Sequence, residues 1–129
     1  MTPKELQERT LAFALDVYKF IRPLLRTVET QHVAHQLLRS ATSVAANYRA
    51  ACLARSSKEW IAKLGVIREE ADESVLWLVF IQRAGMAAAA SKELDELLGE
   101  ARELTRIFVA SYRTSREKRE RGSVPVEAG

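Results

Sequence analysis

Four carboxylates stand close together in the run EEADE, which spans residues 69–73. Carboxylates and imidazoles are the groups from which helical bundles build two-metal sites, and the run HVAH supplies a histidine pair, His32 and His35. On helices, however, Glu69, Glu73 and both histidines fall on the side turned away from the core. Ligands that face outward on separate helices do not converge on one ion, so the sequence predicts no metal site.

An ion-pair network between two helices is the alternative interpretation of the same carboxylates. We expect the second and third helices to run antiparallel across a tight turn, which places Arg39 level with Asp72 and Glu73. Asn47 then lies near Glu69. Arginine and carboxylate side chains pair readily along such a seam. The predicted structural network comprises Arg39, Asn47, Glu69, Glu70, Asp72 and Glu73.

The sequence does not bring together the parts of a nucleophilic or phosphate-transferring active site. The single cysteine, Cys52, lies on the apolar stripe of the second helix, and no base stands at a spacing that indicates an activated nucleophile. The glycines form no phosphate-binding loop. We therefore expect a non-enzymatic protein with no cofactor and no small-molecule substrate.

The elements that position these residues are predicted to be four long helices. With only five glycines and three prolines in 129 residues, the chain has little turn material. Apolar residues recur at three- and four-residue steps in four segments. The first segment is kinked or ended by Pro23, the second runs from about Gln31 to Arg55, the third is capped at Ser56, and the fourth is capped at Ser91.

Four such helices with short connections predict an all-α protein with the antiparallel up-down-up-down topology of a four-helix bundle. The run AGMAAAAS, residues 84–91, is expected to mark the fraying end of the third helix. We assign residues 1–117 to the bundle domain and residues 118–129, KRERGSVPVEAG, to a flexible polar tail.

Apolar side chains occupy every side of the third helix over residues 75–81, VLWLVFI. Each residue turns a helix by about 100°, so when Leu78 faces the core, Leu76 and Phe80 face outward with Trp77 on the flank. The far side of the second helix carries small and apolar residues that would let another helix approach closely. Two such surfaces suit a head-to-tail homo-oligomer, although single exposed apolar residues are also common in monomers. The predicted subunit interface comprises Ala46, Ala50, Leu53, Leu76, Trp77 and Phe80.

Basic residues collect where the second helix ends, the third begins and the fourth ends. The candidate nucleic-acid-binding residues are Arg49, Arg55, Lys58, Lys63, Arg113, Arg116 and Arg119. Repeated around a ring, this basic end could hold a phosphate backbone. The alternative is that these cations only complement helix C-termini. The overall excess of 20 basic over 17 acidic residues does not decide between the two.

The chain shows no sign of a membrane or secretory destination. Its N-terminus, MTPKELQERT, is charged and lacks an apolar signal segment, and VLWLVFI is far too short to span a bilayer. A lone cysteine fits a reducing compartment. We therefore expect a soluble, cytoplasmic protein that does not bind membranes.

Residues 43–78, SVAANYRAACLARSSKEWIAKLGVIREEADESVLWL, resemble the signature of the four-helix-bundle family that includes the protein encoded in 23S ribosomal RNA intervening sequences. The most specific parts are the runs ANYRA at 46–50, RS at 55–56 and EEADE at 69–73. With the upstream FALDVYKF and QLLRSATSVAAN, the resemblance covers roughly residues 10–110. The chain departs from the common pattern at Leu53, where a basic residue often stands, and at Val79, where an acidic residue is frequent.

The resemblance implies a compact four-helix protomer and, by analogy with known family members, a homopentameric ring. It also implies a nucleic-acid role, because a related branch, the accessory protein of diversity-generating retroelements, engages RNA and a reverse transcriptase as a basic pentamer. We therefore expect an oligomeric binding module for RNA or for a nucleic-acid-processing enzyme. The alternative is a protein-binding scaffold with no nucleic-acid role.

Overall fold

The computed structural model describes residues 1–86 and 91–123 and shows four α-helices without strands in that part of the chain. The helices are α1 (Pro3–Phe20), α2 (Val28–Ala51), α3 (Ser57–Ala84) and α4 (Lys92–Ser123), and a short 3-10 helix (Arg22–Arg26) joins α1 to α2. Each helix packs against two neighbours in the cyclic order α1, α2, α3, α4. The predicted all-α four-helix bundle is confirmed.

Side-chain contacts show that neighbouring helices run antiparallel. Between α2 and α3, Ser40 contacts Ser74 near one end and Tyr48 contacts Trp60 near the other. The buried Ser40 and Ser74 hydroxyls lie 2.8 Å apart and form a hydrogen bond. Each hydroxyl can also donate to a carbonyl of its own helix, Ser40 to Leu37 and Ser74 to Glu70, so the pair joins α2 and α3 without leaving a buried donor unpaired.

The start of α1 follows the sequence signals. Thr2 accepts a hydrogen bond from the Glu5 amide, and the Glu5 carboxylate accepts one from the Thr2 amide, which completes the predicted capping box. The helix ends at Phe20, and Pro23 lies in the first turn of the 3-10 helix. Because proline lacks an amide hydrogen, it ends α1 as predicted and starts a new turn.

The predicted bounds of the second helix are wrong at both ends. The helix begins at Val28 because the Thr27 hydroxyl accepts a hydrogen bond from the Thr30 amide, a cap that lies ahead of the expected start at Gln31. It ends at Ala51 instead of Arg55. The Leu53 and Ala54 amides donate to the Ala50 and Ala51 carbonyls in tight turns, and the chain then becomes extended at Ser56 (φ −155°), the cap of α3.

The end of α3 is set by Gly85, which adopts a left-handed conformation (φ 65°). The Gly85 and Met86 amides donate to the Gln82 and Ile81 carbonyls and close the helix as a Schellman motif. The rest of the predicted fraying tract, residues 87–90, lies outside the described residues.

The fourth helix extends past the predicted boundary at residue 117. Residues 118–123 continue α4, because Lys, Arg and Glu favour helices and Arg116 pairs with Glu120 one turn along. The predicted start of the polar tail at residue 118 is therefore too early in the chain. The last part of that predicted tail, residues 124–129, lies outside the described residues.

The core consists of the apolar stripes that the spacing predicts on all four helices. Fully buried side chains include Val17, Leu37, Ile67, Leu78 and Phe108. Cys52, which the sequence places on the apolar stripe of the second helix, is only partly buried, as are Trp60 and Tyr112. They lie at the end of the bundle where α2, α3 and α4 come together, and there the core meets the surface.

Burial of Tyr48 makes the stability of the fold sensitive to pH in the alkaline range. Its ring packs 5.4 Å from that of Phe108, and burial, with a smaller contribution from a hydrogen bond to Cys52, raises the pKa of its hydroxyl to about 12. A raised pKa favours the protonated hydroxyl in the folded state. This contribution to stability is complete below the ordinary pKa near 10 and is lost as the pH rises towards 12.

We expect the free energy of unfolding to fall between pH 10 and 12, by at most about 1.4 kcal/mol per pH unit from this group. Urea unfolding of the wild type and of Tyr48→Phe across this range isolates the effect, because other groups titrate equally in both proteins. The assignment fails if the two proteins lose stability in parallel.

Candidate functional site

An exposed apolar surface on α3, here called the α3 patch, comprises Leu76, Trp77 and Phe80. The Leu76 side chain is 56% exposed and Phe80 is 46% exposed, although Leu78 between them is fully buried. The Trp77 ring is partly buried and meets the Phe80 ring edge-on with centroids 6.0 Å apart. The structure therefore places these three residues together, in the orientations that the helical wheel predicts.

Contacts within α3 and from α2 hold the Trp77 ring of the α3 patch in place. The Trp77 indole N–H donates to Glu73 Oε2 over 3.2 Å, and Glu73 also accepts a hydrogen bond from Arg39. A second Arg39 nitrogen lies 3.1 Å from Glu70 Oε2, and the His32 ring packs edge-on to Trp77 at 6.3 Å. The hydrogen bond to Glu73 raises the pKa of the Arg39 guanidinium. The ion pairs thus orient Glu73, which in turn holds the Trp77 ring.

Half of the predicted network lies elsewhere. Asn47 donates to the Ser43 carbonyl and hydroxyl within its own helix, both over 2.9 Å, and makes no contact with α3 carboxylates. Glu69 and Asp72 are exposed and form no ion pair with any described residue. Arg39 lies at the predicted height along the bundle, opposite this stretch of α3. Its partners are Glu73, as predicted, and Glu70, because Glu70 and not Asp72 lies on the side of α3 that meets α2.

A second apolar surface lies between α1 and α2 and is here called the α1/α2 groove. It has a volume of about 260 Å³. Ala14, Ala45 and Ala46 supply small apolar surface, and the half-exposed Leu11 supplies a larger side chain. Its polar lining residues are Gln7, Glu8, Thr42 and Arg49.

The groove differs in part from the predicted surface of α2. Ala46 lines it as expected, whereas Ala50 is partly buried and outside it, and Leu53 is 77% exposed in the turn after the helix. Sequence analysis missed the contribution of α1. The signal was present, because Leu11, Leu15 and Tyr18 are spaced by four and three residues and form an outward stripe.

The predicted basic end is a surface between the start of α3 and the end of α4. A depression there of about 610 Å³ is lined by Ser57, Trp60, Ile61, Ser115, Lys118, Arg119 and Gly122. The Trp60 indole donates to the Ser115 hydroxyl over 3.0 Å, and Arg119 donates to the Ser57 hydroxyl over 2.9 Å. These contacts fix the two helices and leave the Lys118 side chain exposed.

A cluster of arginines surrounds Tyr112 beside this depression. The Arg68 guanidinium stacks 4.0 Å from the Tyr112 ring centre, and Arg116 approaches the ring at 5.6 Å. The stacking distance is typical of a cation–π contact. Gly65 gives the ring room, because a Cβ atom there would lie 3.2 Å from Tyr112 Cε2. Arg68 was not among the predicted residues and lies beside the predicted Arg113 and Arg116.

The predicted nucleic-acid-binding residues do not form one continuous surface. Arg55 is exposed in the turn before α3 and lies 3.8 Å from Glu59, and Arg116 lies 3.4 Å from Glu120. Lys58 is exposed in the first turn of α3, whereas Lys63 is partly buried. Arg49 lines the α1/α2 groove and is separated from the α3/α4 side.

The residues considered as metal ligands do not converge. Glu29 and His32 have the Glu-x-x-His spacing of two-metal bundles, which sequence analysis overlooked, but both are exposed on α2. Within residues 1–86 and 91–123, no three His, Cys, Asp or Glu side chains are grouped as metal ligands. In the same part of the chain, no helix is long and apolar enough to cross a membrane.

The profile of the 23S rRNA-intervening sequence protein family matches residues 4–110. The chain belongs to this family. The match covers α1, α2, α3 and most of α4, and therefore includes the α3 patch and the α1/α2 groove. Arg113, Arg116 and Arg119 lie beyond it.

A comparison with solved structures agrees on the fold. The chain is similar to a protein of unknown function from the S23 ribosomal protein family of Bacteroides thetaiotaomicron, with a TM-score of 0.73 and 24% identity. The alignment covers 82% of this chain and 96% of that chain. A comparison with curated proteins found no match.

The contact between Trp77 and Glu73 can be tested by tryptophan fluorescence. In a Trp60→Phe background, Trp77 is the only tryptophan, and we expect Glu73→Ala to increase its quenching by acrylamide because the indole loses its acceptor. Glu69→Ala removes an equal charge one turn away and serves as the control. Equal quenching in the two variants would contradict the role of Glu73.

Proposed function

We propose that the protein is a non-enzymatic homo-oligomer that binds RNA, and that the α3 patch is a contact between its subunits. The observation that carries this proposal is the exposure of Leu76 and Phe80 beside the oriented Trp77 ring. Full burial of a Leu or Phe side chain gains about 1.5–3 kcal/mol, so covering this surface favours association. Five subunits is the number that the family resemblance implies, and the cytoplasm is the compartment that we propose.

The contacts that orient the Trp77 ring support an assembly role. Association is weakened when flexible side chains must be ordered at the interface. Here Glu73 and His32 already hold the Trp77 ring in the single chain. A preoriented aromatic surface with apolar neighbours therefore suits a specific contact.

The charges at the basic end support RNA as the ligand. Lys58, Arg113 and Lys118 are exposed and make no ion pair with the described residues, so their charges are available to phosphates. A ring would repeat this surface on each subunit and strengthen its field. Binding of this kind depends on counterion release and weakens as salt rises.

The competing proposal is a protein-binding scaffold with no nucleic-acid role. It is favoured by the contacts that several of the cations already make, since Arg55 and Arg116 pair with glutamates and Arg119 donates to Ser57. The acidic residues Glu117 and Glu120 also line the arginine cluster and dilute its charge.

RNA affinity measured against salt concentration separates the two proposals. For a mixed-sequence single-stranded RNA followed by fluorescence anisotropy, we expect the triple change of the available cations Lys58, Arg113 and Lys118 to Gln to weaken binding. The slope of log affinity against log salt should fall by about 2, because each phosphate contact contributes roughly 0.7.

The matched control changes three exposed cations away from the basic end, Lys19, Arg26 and Arg102, to Gln. It removes the same net charge and should retain most of the affinity. Equal losses in the two triple variants would indicate only a general charge effect. Undetectable binding by the wild type at low salt would leave the scaffold as the function.

A further inference from the structure

We infer that the α3 patch of one copy packs into the α1/α2 groove of a second copy, an inference that rests on the proposed homo-oligomer. Both surfaces are apolar at the centre and carry charged residues at the edge. The patch projects the large side chains of Leu76 and Phe80, whereas Ala14, Ala45 and Ala46 form the part of the groove without large side chains, beside Leu11. Large side chains facing small ones allow two helix surfaces to approach closely.

The placement of the two surfaces makes the contact head-to-tail. The groove lies on the seam of α1 and α2, whereas the patch lies on the outer side of α3. A copy that offers its patch to one neighbour therefore keeps its groove free for another. Contacts of this heterologous kind generate closed rings when the rotation between subunits closes.

Unpaired charges of opposite sign lie at corresponding positions of the two surfaces. Glu69 shares the outward stripe of the patch, about 10 Å before Leu76 along the helix. Arg49 follows Ala45 and Ala46 by one turn of α2, and neither Arg49 nor Glu69 forms an ion pair with any described residue.

These positions orient the neighbouring α3. When Leu76 lies over Ala45 and Ala46, and α3 runs antiparallel to α2 of the neighbour, Glu69 comes within reach of the long Arg49 side chain. Glu8, also on the groove, partly offsets this attraction. Arg49 therefore belongs to the subunit contact and not to the RNA-binding end.

Mixing two single-surface variants tests the pairing. Phe80→Glu blocks the patch and leaves the groove, whereas Ala46→Glu blocks the groove and leaves the patch. Each variant alone should be monomeric by light scattering, and an equimolar mixture should form a complex of two chains, because one intact patch and one intact groove remain. Leu11→Glu provides a second groove variant.

The controls keep the outcomes distinct. Circular dichroism establishes that each variant is folded, and Val28→Glu places the same charge at an 83% exposed apolar residue that belongs to neither surface, so it should retain the wild-type mass. If the wild type assembles but the mixture stays monomeric, the groove is not the partner of the patch and only this inference fails. A monomeric wild type would overturn the proposed oligomer as well.

A charge exchange tests the orientation of the contact. We expect Arg49→Glu to weaken association about tenfold, and addition of Glu69→Arg in the same chain to restore it, because every contact in the ring then carries the reversed pair. A double variant no better than Arg49→Glu would overturn the proposed register. Loss of RNA affinity in Arg49→Glu at unchanged mass would return Arg49 to the nucleic-acid surface.

Discussion

Seven consecutive apolar residues on one helix create a constraint that the bundle cannot satisfy internally. Because successive side chains are about 100° apart, the core takes Leu78 and Ile81, and Leu76 and Phe80 are left at the surface. The neighbours of α3 are α2 and α4, which cover its inner sides and not this outer one. The exposed surface and its proposed role in assembly both follow from this helical geometry.

The contacts between α2 and α3 connect the fold to that surface. The hydrogen bond between the buried Ser40 and Ser74 lies next to the ion pairs of Arg39, so one register of the two helices satisfies both. Glu73 then accepts hydrogen bonds from Arg39 and from the Trp77 indole. Such exposed ion pairs contribute little stability individually, up to about 1 kcal/mol, so we assign them mainly an orienting role.

Sequence patterns predicted the helices and the core well, because apolar spacing records which side of a helix is buried. These patterns were less informative about contacts between side chains of neighbouring helices. Arg39 pairs with Glu70 and not with Asp72 because of how α3 is rotated against α2. The groove depends on Leu11, which α1 contributes beside α2. The cap at Thr27 could have been predicted from the sequence. Helix-favouring residues continue α4 to Ser123, although the polar composition of this segment suggested a tail.

We propose that another copy of the chain covers the outer side of α3. The mass of the unmodified protein in solution, measured by light scattering over a range of concentrations, tests it most directly. We expect a mass several times the 14.5 kDa of one chain, and close to five times that value if the ring resembles those of the family. A mass of 14.5 kDa at all concentrations would contradict it.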